Sequence, residues 1–125
     1  MILGTGVDLV EIERLRKIIE RQKDRFLLRV FTPEEQRFCN AHRDPAPHYA
    51  ARFAAKEAVF KALGTGWAKG VTWLNVEVQR EGQDPPRLAL KGEALKISGN
   101  LGVEKYHLSL SHSDSWAVAM VILEG

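Results

Sequence analysis

The stretch from His48 to Gly66, HYAARFAAKEAVFKALGTG, constrains the fold more than any other. Alanine dominates it, and neither proline nor glycine interrupts it before Gly64, which stands where a glycine ends a helix. On such a helix Phe53 and Phe60 lie four residues before and three residues after Glu57, so all three share a face. A carboxylate therefore sits in the stripe that should be packed. Burying it unpaired would cost several kcal/mol, so Glu57 needs a cation. Two candidates stand open: Lys61, one turn on, as an ordinary i,i+4 helix pair, or a metal ion.

The flanking segments surround this helix with a small α+β arrangement. Residues 1–9 alternate, with Ile2, Gly4, Gly6 and Asp8 on one face and Leu3, Thr5, Val7 and Leu9 on the other. That is a strand whose glycines admit a close neighbour or a ligand. Asp8 ends its small-residue face, either as N-cap of a helix beginning near Val10 or as a ligand, and the two roles are compatible. From Leu9 to about Phe31 the spacing of Ile12, Leu15, Ile18 and Ile19 predicts one helix. Thr32-Pro33-Glu34-Glu35 starts another, with Thr32 as N-cap and Glu35 closing a capping box. Asp44 to Pro47 forms the loop into the central helix. Residues 71–80 and 87–90 read as a β-hairpin, and residues 92–99 as a short helix. Tyr106 to His112 alternates, and Trp116 to Leu123 is apolar on both faces, as a central strand would be. The order β-α-α-α-β-β-α-β-β predicts one α+β domain over 1–125, with helices on an antiparallel sheet.

Composition excludes several classes. A single cysteine, Cys39, leaves no internal disulfide framework and suits a reducing compartment. Asp8 interrupts the only apolar run near the N-terminus, so neither a signal peptide nor a membrane span is expected and the location expected is cytoplasmic. Charge is uneven. Arg14, Arg16, Lys17, Arg21, Lys23, Arg25 and Arg29 face only Glu20 and Asp24 within residues 14–29, a local excess of five positive charges suited to an acidic partner. Nucleic acid or an acidic protein would both qualify, but no aromatic stacking platform or nucleic-acid motif accompanies the cluster.

Two carboxylates on separate elements, Asp8 and Glu57, match the sparse protein share of an Mg²⁺ site, whose remaining ligands come from water and substrate phosphate. Lys56, Lys61 and Arg52 stand close to Glu57 in sequence as positive charge for phosphates. No Ser-His-Asp triad follows from Ser111, His112 and Asp114, because sequence neighbours rarely have triad geometry.

These residues also carry a resemblance. GTGVDLVEI at residues 4–12 and FAAKEAVFKALG at residues 53–64 are similar to the two signature motifs of the 4′-phosphopantetheinyl transferases, and HLSLSHS at residues 107–113 resembles the third. The likeness covers essentially the whole chain and is closest to the short single-domain members. Thr5, where isoleucine is more usual, touches no charged position.

The resemblance implies transfer of the 4′-phosphopantetheine arm from coenzyme A to a serine of apo acyl carrier protein, in fatty acid biosynthesis, with release of adenosine 3′,5′-bisphosphate. It implies Mg²⁺ on Asp8 and Glu57, Lys61 near the diphosphate, and Ser111 and His112 on the coenzyme A side. It further implies docking of the carrier on Arg14, Arg21, Arg25 and Arg29, and a homotrimer with sites between subunits. The group that takes the serine proton stays open between Glu57, a metal-bound water and His112. A nucleic-acid-binding domain and a coenzyme A-binding module without chemistry are the competing readings.

Overall fold

A computed structural model describes residues 1–125. Strand β1 (Ile2–Glu11) is followed by four helices: α1 (Ile12–Gln22), α2 (Asp24–Val30), α3 (Pro33–Asn40) and α4 (Ala46–Leu63). A 3-10 turn at Trp73–Asn75 leads into the hairpin β2 (Val76–Gln79) and β3 (Arg87–Leu90), then α5 (Gly92–Leu101), β4 (Lys105–His112) and β5 (Trp116–Glu124). β5 is the middle strand of an antiparallel sheet ordered β1-β5-β4, and β2 and β3 form a second, two-stranded sheet. The α+β expectation holds, with the strands divided between two sheets. The central position of β5 explains its apolar run on both faces.

α4 runs through the middle of the molecule. Ala50, Ala51, Ala54, Ala55, Ala58 and Ala62 are all buried, because small side chains let neighbours approach the helix from several sides. Its C-terminal half joins Ala119, Val121 and Leu123 of β5 in one core. Its N-terminal half joins Ile12 and Leu15 of α1 and Phe26 and Val30 of α2 in a second. Gly64 closes the helix in the left-handed conformation at φ 76°, as its position implied.

β1 lies directly on the α4 backbone. A Cβ at Gly6 would overlap the Ala58 carbonyl, and one at Gly4 the Ala62 carbonyl. The two glycines therefore admit a helix, not a ligand, and this contact sets where Asp8 falls along α4. Gly6→Ala should force strand and helix apart at backbone atoms that cannot rotate away. The expected result is a loss of about 1–3 kcal/mol, the usual range for overpacking, read as a lower urea midpoint.

Three local expectations are corrected. The helix predicted from Leu9 to Phe31 is two helices, broken at Lys23, where φ is 51°. The Lys23 N–H donates to the Ile19 carbonyl and its own carbonyl accepts from Phe26 and Leu27, so both backbone groups of Lys23 are satisfied at the break. Neither glycine nor proline marks it. The turn lets Phe26 pack 6.0 Å from the Phe31 ring and 6.1 Å from Phe53, ring centroid to ring centroid. Asp8 is no N-cap: β1 continues to Glu11, and α1 begins at Ile12 without a side-chain cap. The strand predicted over 71–80 is regular only at Val76–Gln79.

Candidate active site

Alternation along β1 turns Gly4, Gly6 and Asp8 toward α4, which answers with Glu57 and, one turn later, Lys61. The Lys61 ammonium donates to Asp8 Oδ1 at 2.9 Å and to the Val7 carbonyl at 2.9 Å. The i,i+4 pair with Lys61, one of the two candidates for Glu57, is absent: the lysine crosses to the strand instead. Glu57 is left half-buried with neither ion pair nor hydrogen bond. Burial raises its pKa, the negative charge of Asp8 raises it further, and Lys61 opposes both.

The two carboxylates open into a cleft of about 400 Å³, walled by Phe53, Leu15 and Trp116 and edged by Glu11 and Arg14. Two acids against one shared lysine leave a local deficit of positive charge, which suits a divalent cation. No group of three or more His, Cys, Asp or Glu side chains is set to hold a metal alone. Asp8 and Glu57 would thus supply two ligands, a complement typical of Mg²⁺ bound together with substrate phosphate.

Two of the cations grouped with Glu57 by sequence lie elsewhere. Lys56 is fully buried, paired with Glu35 at 2.8 Å, and donates to the carbonyls of Trp73 and Val76. It is unavailable to a phosphate. Arg52 is also buried, its guanidinium 4.0 Å from the Phe38 ring centre, with Nε and Nη2 lacking hydrogen-bond partners. Burial lowers its pKa. Next to it stands His48, stacked on His42 at 3.6 Å and 5.7 Å from His112. Burial first, then the neighbouring His42, His112 and Arg52, push the His48 pKa down to about 4, so this imidazole is neutral near pH 7. Sequence reasoning missed His48; the available signal was an arginine inside an alanine-rich helix with a histidine one turn before it.

His112 therefore belongs to the Arg52 side and is absent from the lining of the Asp8–Glu57 cleft. β4 lies two strand spacings, roughly 10 Å, from β1 in the same sheet. Ser111 points to the opposite face of β4 from His112. Arg14 and Arg21 ride on α1 and Arg25 and Arg29 on α2, so the four do not share one helix. All four are exposed and free of ion pairs, whereas Arg16 is held by Glu13 and Asp44. Arg14 edges the carboxylate cleft, so the basic surface reaches the candidate site.

The chain belongs to the 4′-phosphopantetheinyl transferase superfamily, whose family match spans residues 4–121. It is 49% identical over 124 residues to the holo-[acyl-carrier-protein] synthase of Koribacter versatilis, with 99% of each chain covered. Its fold matches the crystal structure of holo-[acyl-carrier-protein] synthase from Neisseria meningitidis at TM-score 0.89 and 30% identity, covering 100% of both chains. The Helicobacter pylori holo-[acyl-carrier-protein] synthase in complex with coenzyme A matches at TM-score 0.84 and 30% identity, covering 96% of this chain and 99% of that one.

Proposed function

We propose that this chain transfers the 4′-phosphopantetheine arm of coenzyme A to a serine of apo acyl carrier protein, in the cytoplasm and in the service of fatty acid biosynthesis. The serine oxygen forms a bond to the phosphorus bearing the pantetheine, the bond from that phosphorus to the bridging oxygen breaks, and adenosine 3′,5′-bisphosphate leaves. The observation that carries the reading is Glu57, half-buried and partnerless beside Asp8 in one cleft, with the Lys61 ammonium bonded to Asp8 at 2.9 Å. Asp8 and Glu57 would hold Mg²⁺, which would supply positive charge where the diphosphate builds negative charge. Lys61 adds a cation bonded to Asp8. Glu57, with no hydrogen bond or ion pair of its own, would take the serine proton on the oxygen that does not ligate the metal.

Incubating the protein with apo carrier protein, coenzyme A and Mg²⁺ and weighing the carrier tests the reading. Gain of the arm's mass is expected. An unmodified carrier with coenzyme A bound would favour a binding module without chemistry.

Arg14, Arg21, Arg25 and Arg29 dock the acidic carrier, supported by their exposure and freedom from ion pairs. Charge reversal by Arg21→Glu should raise KM for the carrier severalfold and leave KM for coenzyme A unchanged. Its kcat/KM for the carrier should also depend less on salt, because screening acts over about 10 Å at 0.1 M. Unchanged carrier kinetics would remove the docking role.

The active form is a homotrimer with sites between subunits. Phe60 is fully buried and Trp73 half-buried, whereas Trp67 is exposed. An apolar surface is left open on the outer face of the sheet, where Val7 pairs with Met120 and Leu9 lies alongside, all three exposed. A face of that kind supports self-association. Ser111 lies on the same face, and His112 with Arg52 forms a second polar cluster apart from Asp8 and Glu57; contact between copies would bring such halves together. Light scattering should give three times the chain mass, and active enzyme at the monomer mass would overturn the trimer.

A further inference from the structure

The Lys61 ammonium is engaged with the wrong partner for a group that serves only the substrate. Lys61 carries three N–H donors, of which one goes to Asp8 Oδ1 and one to the Val7 carbonyl. Both acceptors belong to β1, and the Glu57 carboxylate one turn away on its own helix is left without a cation. The Asp8 side chain is 18% exposed and the Lys61 side chain 52%. The carboxylate is thus fixed in the cleft, while the ammonium rides on a flexible four-carbon stem at the solvent edge. We propose that Lys61 is a built-in counterion that competes with the divalent metal for Asp8, so that metal binding frees the ammonium for the incoming diphosphate. The inference rests on Asp8 and Glu57 being the metal ligands.

The argument is electrostatic and steric together. The ammonium contacts an oxygen of the very carboxylate that would ligate the metal. Three positive charges, two of them on one ion, would then crowd two carboxylates, and like charges at contact distance in a half-buried site repel strongly. The metal would be held by two carboxylates in the cleft, whereas the lysine is held by two hydrogen bonds at the surface. The lysine is the partner that yields. Its stem keeps the released ammonium within reach of the cleft mouth, where it is newly short of an anion. Metal affinity without substrate is accordingly weakened by Lys61, and a diphosphate, which Lys61 can then contact, restores it. Such coupling between two ligands is typically about 5–150-fold.

Titration of the metal-free enzyme with Mn²⁺, read from the paramagnetic resonance signal of the free ion and without coenzyme A, tests this. Lys61→Met should bind Mn²⁺ roughly tenfold tighter than the natural protein. Lys61→Arg, whose planar fork can grip a carboxylate with two N–H groups, should bind no more tightly than the natural protein. Arg14→Met is the control for charge alone, since Arg14 edges the same cleft without pairing with either acid; it should change affinity less than threefold. Equal or weaker binding by Lys61→Met, or equal tightening by Arg14→Met, would overturn the competition. If the natural protein and Asp8→Asn bind Mn²⁺ alike, the metal-site assignment itself falls, and the inference with it.

Discussion

Asp8→Ala should lose transfer activity by roughly three powers of ten while keeping its fold, because the metal proposed on Asp8 and Glu57 would stabilise the transition state by several kcal/mol. The structure separates the two effects. The side-chain contact that Asp8 loses is the ion pair with half-exposed Lys61, and such pairs contribute at most about 1 kcal/mol. Glu57→Gln should lose activity comparably, yet its metal-free form should be more stable than the natural protein at pH 7. The sign follows from the raised pKa of Glu57. A carboxyl whose pKa is higher folded than unfolded favours folding when protonated, and that contribution is lost as pH rises through the folded value. Glutamine avoids the loss. The urea midpoint in the presence of a chelator should therefore be higher for Glu57→Gln at pH 7 and converge with the natural protein near pH 4, about the ordinary glutamate range. Near-normal transfer by either folded variant at limiting Mg²⁺ would refute the site.

Lys56→Met should cost about 3–5 kcal/mol, the range for breaking one side of a buried ion pair. Burial lowers the Lys56 pKa, and Glu35 pulls it back up by charge and by hydrogen bond. Glu35 is itself fully committed: Oε1 accepts from the Thr32 N–H at 2.9 Å and Oε2 from the Val78 N–H at 2.8 Å. This one carboxylate joins the start of α3, the body of α4 and strand β2. Removing the ammonium leaves a negative charge buried among apolar groups, including the Phe31 ring. The double variant Lys56→Met/Glu35→Gln removes both charges and keeps one acceptor oxygen. It should therefore be more stable than Lys56→Met alone, a non-additivity expected of contacting residues. Urea midpoints of the three variants measure it; additive losses below about 1 kcal/mol each would mean that the pair is not desolvated.

What was legible in the sequence is what neighbours in the chain decide. The capping box of Thr32 and Glu35 is present as spaced, because a box needs only four consecutive residues. The long α4 ends at Gly64 because only backbone strain and local hydrogen bonds are involved there. The alternation of β1 placed Asp8 on the glycine face, and the unbroken apolar run of β5 marked the middle of a sheet. The carboxylates proposed as metal ligands, Asp8 and Glu57, were legible too, as were the motifs that tie the chain to its superfamily.

Tertiary structure decided the partners. Lys56, Lys61 and Arg52 are alike to a pattern that counts charges near Glu57, yet one is buried against Glu35, one crosses to Asp8 and one lies over Phe38. Those assignments depend on contacts separated by 21, 53 and 14 positions in the chain, which no local periodicity encodes. The break at Lys23 was equally hidden, since a lysine adopts that conformation only where burial of Phe26 and Val30 outweighs the local strain. Gly4 and Gly6 announced a close approach without saying by what. Only the fold shows that the α4 backbone fills the space, and that this contact holds Asp8 beside Glu57.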